Sequence, residues 1–139
     1  MDKKLVTLIA LFFATLLVFA YIILFGKPFS QFIRAKEEYE PSAKNSLIFA
    51  WPVKALADGT NKVTVHVFVR SGAVHPKPVK NRTVNVQSTI GDIRIEQGQS
   101  DNEGKTTFYI TSDSPGIAEL SAIIDNSVLV DRPLTVKFE

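Results

Sequence analysis

The chain has 139 residues, with 16 basic and 14 acidic side chains and a formal net charge of +2. Acids and bases interleave after residue 40, so there is no basic stripe of the kind nucleic acid requires, and no nucleic-acid partner is expected. The absence of cysteine excludes disulfides, thiolate chemistry, cysteine zinc sites and lipid attachment through a thiol.

The first element is an apolar run, Leu5 to Phe25, without charge, proline or glycine. A bilayer core about 30 Å thick is crossed by roughly 20 such residues in a helix. Residues 1–26 are therefore read as an N-terminal signal-anchor helix in contact with the lipid bilayer through Leu5–Phe25. A cleaved signal peptide is the rival, with Lys3 and Lys4 as its basic start. Its apolar stretch runs only about 7–15 residues and ends at a small-x-small site. Here the run is longer, and Tyr21 to Gly26 is bulky where a peptidase wants small residues. A type IV pilin start is a weaker alternative, because the Gly before the mature terminus and the early Glu are missing from Lys3 to Leu8. Positive charge stays cytoplasmic, but Lys3 and Lys4 on one side nearly balance Lys27, Arg34 and Lys36 on the other.

Residues 27–46 are read as a juxtamembrane linker. Gly26 and Pro28 end or bend the helix. Phe29, Phe32 and Ile33 recur at near-helical spacing beside Arg34 and Lys36, which fits either a short amphipathic segment in the headgroups or a plain spacer. The spacer is preferred because the periodic stretch is short. Pro41 and Ser42 mark the boundary before a domain.

From Leu47 the period becomes two. Val63, Val65, Val67 and Val69 share one face, with Thr64, His66 and Phe68 on the other. Val84 and Val86, Phe108 and Ile110, the series Ala118, Leu120, Ala122, Ile124, and finally Leu134, Val136, Phe138 repeat the pattern. Turn formers separate these runs: Asp58-Gly59, Ser71-Gly72, Gly91-Asp92, Asn102 to Gly104, Pro115-Gly116 and Asp125-Asn126. Pro115-Gly116 suits a type II turn. No helical period appears after residue 47. About seven short strands in residues 47–139 predict an all-β, immunoglobulin-like antiparallel sandwich.

Chemistry-bearing residues are sparse. His66 lies on the polar face of a strand and His75 in a proline-rich loop. Neither has partners at metal-binding spacing, so both are read as solvent-exposed. Asp101 to Gly104, and Asp125-Asn126 with Asp131, offer oxygens but not the six to eight a calcium ion takes on one loop. Turn capping is the simpler role. No Gly-x-Ser-x-Gly elbow or other nucleophilic arrangement is present. No enzyme activity, catalytic residue, metal or cofactor is expected. Asn81-Arg82-Thr83 is a glycosylation sequon, read as incidental. Phe68 and Ile123 fall opposite the core faces, and Trp51, with Phe49, sits in the first strand. Phe68, Ile123 and Trp51 are the candidate partner surface.

A family resemblance gathers these motifs. Ala57-Asp58-Gly59-Thr60-Asn61-Lys62-Val63-Thr64-Val65 resembles the opening of bacterial immunoglobulin-like domains of the intimin/invasin type. Pro78-Val79, the strand from Val84 to Gly91, Ser100-Asp101-Asn102-Glu103-Gly104-Lys105-Thr106, the run Ser112 to Ala122, and Val136-Lys137-Phe138 follow in the family's order and spacing. Ser71 to Lys77 departs from it, lacking the Asp-x-x-Gly turn. The resemblance implies a bacterial cell-surface sandwich that faces outward, and hence a single-pass protein of the cell membrane with its N-terminus cytoplasmic and its C-terminal domain extracytoplasmic. Large adhesins of this type carry many such domains in tandem, so adhesion is implied by analogy.

Two functions are expected. One is a membrane-anchored, non-catalytic module for binding or adhesion, with an extracellular protein or polysaccharide as partner. The alternative is a structural or assembly subunit of a membrane or envelope complex, pilus-like in character, with the sandwich as spacer or lateral contact. Ala10, Ala14, Thr7 and Thr15 are small residues in the helix, which permits a homo-oligomer through it, although no Gly-x-x-x-Gly is present.

Overall fold

The structure is a computed structural model that describes residues 2–25 and 39–139. These form two compact units, a helix and a β-sandwich. Gly26, Pro28 and the periodic residues Phe29 to Lys36 of the linker lie outside the described residues.

Helix α1 spans Lys3–Phe25, 23 residues. At 1.5 Å per residue it is about 35 Å long, more than a bilayer core of about 30 Å. None of its side chains is buried, and it is the one described helix long and apolar enough to cross a membrane. Its two threonines satisfy themselves. Thr7 Oγ1 donates to the Lys3 carbonyl at 2.9 Å, and Thr15 Oγ1 reaches the Phe12 carbonyl at 2.8 Å. No polar group of theirs is left bare in lipid.

The sandwich has seven strands of five residues or more: β1 Leu47–Trp51, β3 Val63–Phe68, β4 Val84–Ser88, β5 Asp92–Gln97, β6 Lys105–Thr111, β7 Gly116–Ile124 and β9 Leu134–Phe138. Two further strands, β2 Lys54–Ala55 and β8 Val128–Leu129, have two residues each. Sheet one runs β1-β3-β6-β5; sheet two runs β2-β9-β7-β4, with β8 on β7. All pairings are antiparallel except β2 with β9. This is the arrangement of an immunoglobulin-type sandwich.

The alternation follows from the pleat, which sends successive side chains to opposite faces. Val63, Val65, Val67, Phe108 and Ile110 line the inner face of sheet one, and Val84, Ala118, Leu120, Ala122, Ile124, Val136 and Phe138 that of sheet two. None of these is more than 1% exposed. The chain changes sheets after β1, at the cis bond Trp51–Pro52. The Val53 carbonyl then accepts from Lys137 N at 2.9 Å, and the Ala55 carbonyl from Glu139 N at 3.0 Å, which ties β2 alongside β9.

Residues preceding β1 also lie on the sandwich. Ser42 N donates to the Arg70 carbonyl at 2.8 Å, Asp131 N to the Ala43 carbonyl at 3.1 Å, and Asn45 Nδ2 to the Ser71 carbonyl at 2.9 Å. Arg82 Nη2 donates to the Tyr39 carbonyl at 2.9 Å.

Turn chemistry matches its residues at most positions. Gly59, Gly91 and Gly104 have φ of 72°, 82° and 71°, and Asp125 and Asn126 have 50° and 56°. The last pair is the double positive φ of a type I′ hairpin, closed by Ser127 N donating to the Ile124 carbonyl at 3.1 Å. Gly116 is a correction. Its φ is 154°, where the third position of a type II turn needs about +80°. It opens β7, paired with Phe138, at a positive φ that residues other than glycine rarely adopt.

Candidate functional site

Because the valines of β3 point inward, Thr64, His66 and Phe68 point outward on sheet one. Register then sets their neighbours, since directly opposed residues share a face. One row across the sheet is Trp51, Thr64, Tyr109, Arg94; the next is Phe49, His66, Thr107, Gln97; the third is Leu47, Phe68, Lys105. Trp51 is 80% exposed and Phe49 52%. Phe68 is half-buried, its ring 5.9 Å from that of Phe49 at 75° and 6.4 Å from that of His66. Both are edge-to-face contacts of the favourable kind.

The predicted residues therefore divide. Phe68 and Trp51 share the outer face of sheet one. Ile123 lies on the outer face of sheet two, half-buried, opposite Asn85 of β4 and Leu129 of β8. That second face is mostly polar, carrying Gln87, Glu119, Ser121, Thr135 and Lys137. The separation arises because strand parity places each side chain outward, whereas pairing decides to which sheet its strand belongs.

His66 is not free in solvent. It is half-buried, with Nδ1 3.2 Å from Thr107 Oγ1. His75 is exposed. The acidic turn residues serve the backbone. Asp101 Oδ1 accepts from the amides of Glu103 and Lys105, both at 2.9 Å. Asp125 Oδ1 accepts from Thr83 N and its Oδ2 from Arg82 Nη1, both at 3.1 Å. Asn81 of the sequon is exposed at φ 60°. Among the described residues no three His, Cys, Asp or Glu side chains are grouped to hold a metal ion.

Toward β5 the face carries charges of both signs. A shallow cleft of about 230 Å³ is lined by Gly59, Thr60, Lys62, Arg94, Tyr109 and Thr111. Lys62 Nζ sits 5.6 Å from the centre of the Tyr109 ring, within cation–π range. A hydrogen bond to Glu96, with lesser effects from desolvation and that carboxylate's charge, pushes the Tyr109 phenol above its ordinary pKa. Asp58, which precedes the lining residue Gly59, is held down at about 2 by the backbone amides of Asn61 and Thr60. On the other sheet, Glu139 is lowered by its hydrogen bond to Lys137 and then by the charges of Lys137 and Lys54. Tyr109, Lys62 and Arg94 were not singled out in the sequence. Tyr109 had a signal, since it alternates with the inward Phe108 and Ile110, but its neighbours come from two other strands.

Residues 48–139 match the family described as bacterial Ig-like domain (group 1). Among solved structures, the adhesin InvE of Yersinia pseudotuberculosis is similar at 25% identity and a TM-score of 0.61, over 72% of this chain and 28% of that one. The D0-D1 domain of intimin is similar at 27% identity and 0.57, over 69% and 49%. Invasin, a bacterial integrin-binding protein, shares the fold at 23% identity and 0.63, over 70% and 19%. The chain thus spans from about a fifth to about half of these structures' lengths. No curated protein matches it. With the two-sheet topology, the ordered turn motifs and a family match over two thirds of its length, this chain belongs to the bacterial Ig-like domain (group 1) family, as a domain of the intimin/invasin type behind an N-terminal apolar helix.

Proposed function

We propose that the chain is a single-pass membrane protein whose N-terminus stays cytoplasmic and whose sandwich stands outside the membrane as a non-catalytic module for binding and adhesion. One observation carries this reading: a 23-residue helix with no buried side chain shares a chain with a sandwich of the adhesin type. Leu, Ile and Phe side chains displayed along such a length are unfavourable in water and favourable in hydrocarbon. The similarity to InvE, an adhesin, supports adhesion. The contact surface in this reading is the outer face of sheet one around Trp51 and Phe68, with Ile123 on the opposite face as a smaller patch. The partner is an extracellular protein or polysaccharide.

A second reading, an assembly subunit joined through the helix, is favoured by one feature. Ala14 and Thr15 are small residues beside Val18 and Ile22 on one stretch of α1, and small residues let a second helix approach closely.

Intact cells expressing the full chain with a C-terminal tag test the principal reading. The tag should stay in the membrane pellet after alkaline washing and be lost to protease added outside the cells. Release by the wash removes the anchor, and protection from protease removes the outward orientation. Adhesion itself is read by binding of the same cells to immobilised glycoproteins and polysaccharides. Binding that Trp51→Ala leaves unchanged would take the contact away from sheet one.

A further inference from the structure

The edges of a sheet display unpaired N–H and C=O groups, and proteins guard them with charge, proline, bulges, shortness or a covering segment. The edges at β5, β2 and β4 are guarded. β5 carries Asp92, Arg94 and Glu96 and a bulge between Ile95 and Gln97. β2 has two residues and follows Pro52. β4 is hemmed in at one end, where Thr83 bridges Gln99 and Val84 N donates to the Gly98 carbonyl at 2.8 Å. β1 has no bulge and, among the described residues, no covering segment, though Pro52 follows it directly. Its five residues, LIFAW, contain no charge, proline or glycine, and they pair with β3 in unbroken register. Among the described residues, β3 alone hydrogen-bonds its backbone.

The side chains along that edge are apolar and self-complementary. Leu47, Phe49 and Trp51 share the outward face, with Phe49 52% and Trp51 80% exposed. Antiparallel pairing of β1 with its own copy about Phe49 sets Phe49 opposite Phe49 and Leu47 opposite Trp51. Ile48 and Ala50 then oppose one another on the inward face. Apolar meets apolar at every position and no charge meets another. We propose that β1 is the pairing edge for a second copy of this chain, which joins two four-stranded sheets into one of eight strands.

The area involved sets the strength. At about 200 Å² per aromatic side chain, scaled by their exposure, the four rings of two copies contribute on the order of 500 Å². That falls well short of the roughly 1,200 Å² of a stable interface. The contact is therefore weak between free molecules and favoured where two copies share one membrane, by effective concentration. This last clause rests on the anchor reading above.

The chain has no cysteine, so one introduced thiol reports without background. Full-length Phe49→Cys in phosphatidylcholine vesicles, oxidised with copper-phenanthroline, should form disulfide dimers at least several-fold more than Thr135→Cys, whose thiol sits on the exposed outer face of sheet two. Adding Trp51→Lys to Phe49→Cys should bring dimers down to the Thr135→Cys level. Because Trp51 is 80% exposed, that change should leave the thermal midpoint of the sandwich nearly unchanged. Equal cross-linking at the two positions, the pattern of helix-driven assembly, overturns the proposal. So does a Phe49→Cys dimer indifferent to Trp51→Lys. Alkaline washing of the same vesicles reports on the anchor separately, and the β1 contact stands or falls on the cross-link ratio alone.

Discussion

Gly104 turns the chain into β6 at φ 71°, and a Cβ there would collide with the carbonyl oxygen of Val69. Its own carbonyl accepts from Val69 N at 2.7 Å. Gly104→Ala therefore strains the turn and separates it from the end of β3. A loss of roughly 2–3 kcal/mol is expected, measured as a lower urea midpoint. Asp58 works through charge. Its carboxylate takes the amides of Asn61 and Thr60, which lowers its pKa from 3.8 to about 2. A lowered folded-state pKa stabilises the fold above the ordinary value, and that stabilisation is lost as pH falls through the folded one. The wild type should thus melt above Asp58→Asn near pH 6, and the two should converge as pH drops from about 4 to about 2, as thermal melts at stepped pH will record. Both residues were legible as turn formers, because the positive φ of Gly104 and the amides that Asp58 caps are local, whereas the contacts of Gly104 with Val69 are not. Gly116 was misread for the complementary reason: at a positive φ of 154° it already belongs to β7, paired with Phe138 far along the chain.

Strands were legible where one face is wholly buried. The four valines at positions 63, 65, 67 and 69 are at most 1% exposed, and alternation announces such a strand without any partner in view. Phe108, fully buried opposite Val65, shows what that face is worth. Phe108→Ala should cost about 3–5 kcal/mol through lost burial and a residual cavity. In a domain of this size that lowers the melting midpoint by on the order of 20 °C, read by circular dichroism. β5 escaped the sequence reading. Its apolar residues are Ile93, half-buried, and Ile95, which pairs with Phe108 yet remains 63% exposed beside the bulge. An edge strand covered on one side only carries a diluted pattern. The two-residue strands β2 and β8 are too short for any period and exist only because β9 and β7 are there to pair with.

At the scale of the molecule, the helix and the sandwich are separate compact units, so each should respond to its own substitutions. Ala14→Arg, near the middle of α1, costs about 3 kcal/mol of membrane insertion. Retention of the chain in alkaline-washed membranes should fall several-fold, while the sandwich keeps its melting midpoint. The apolar helix, the all-β class, the inward residue of nearly every long strand, the family likeness and most of the turns could be read from the chain alone. All of these rest on interactions within a few residues or on a period along one strand. Strand pairing was needed to see that Trp51 and Phe68 share a sheet while Ile123 faces away, that Phe49 meets Phe68 edge to face, that Tyr109 and Arg94 converge with Lys62, and that among the described residues β1 pairs with β3 alone. The pleat tells a side chain in from out, but which outward residues become neighbours is settled by pairing between strands distant in sequence.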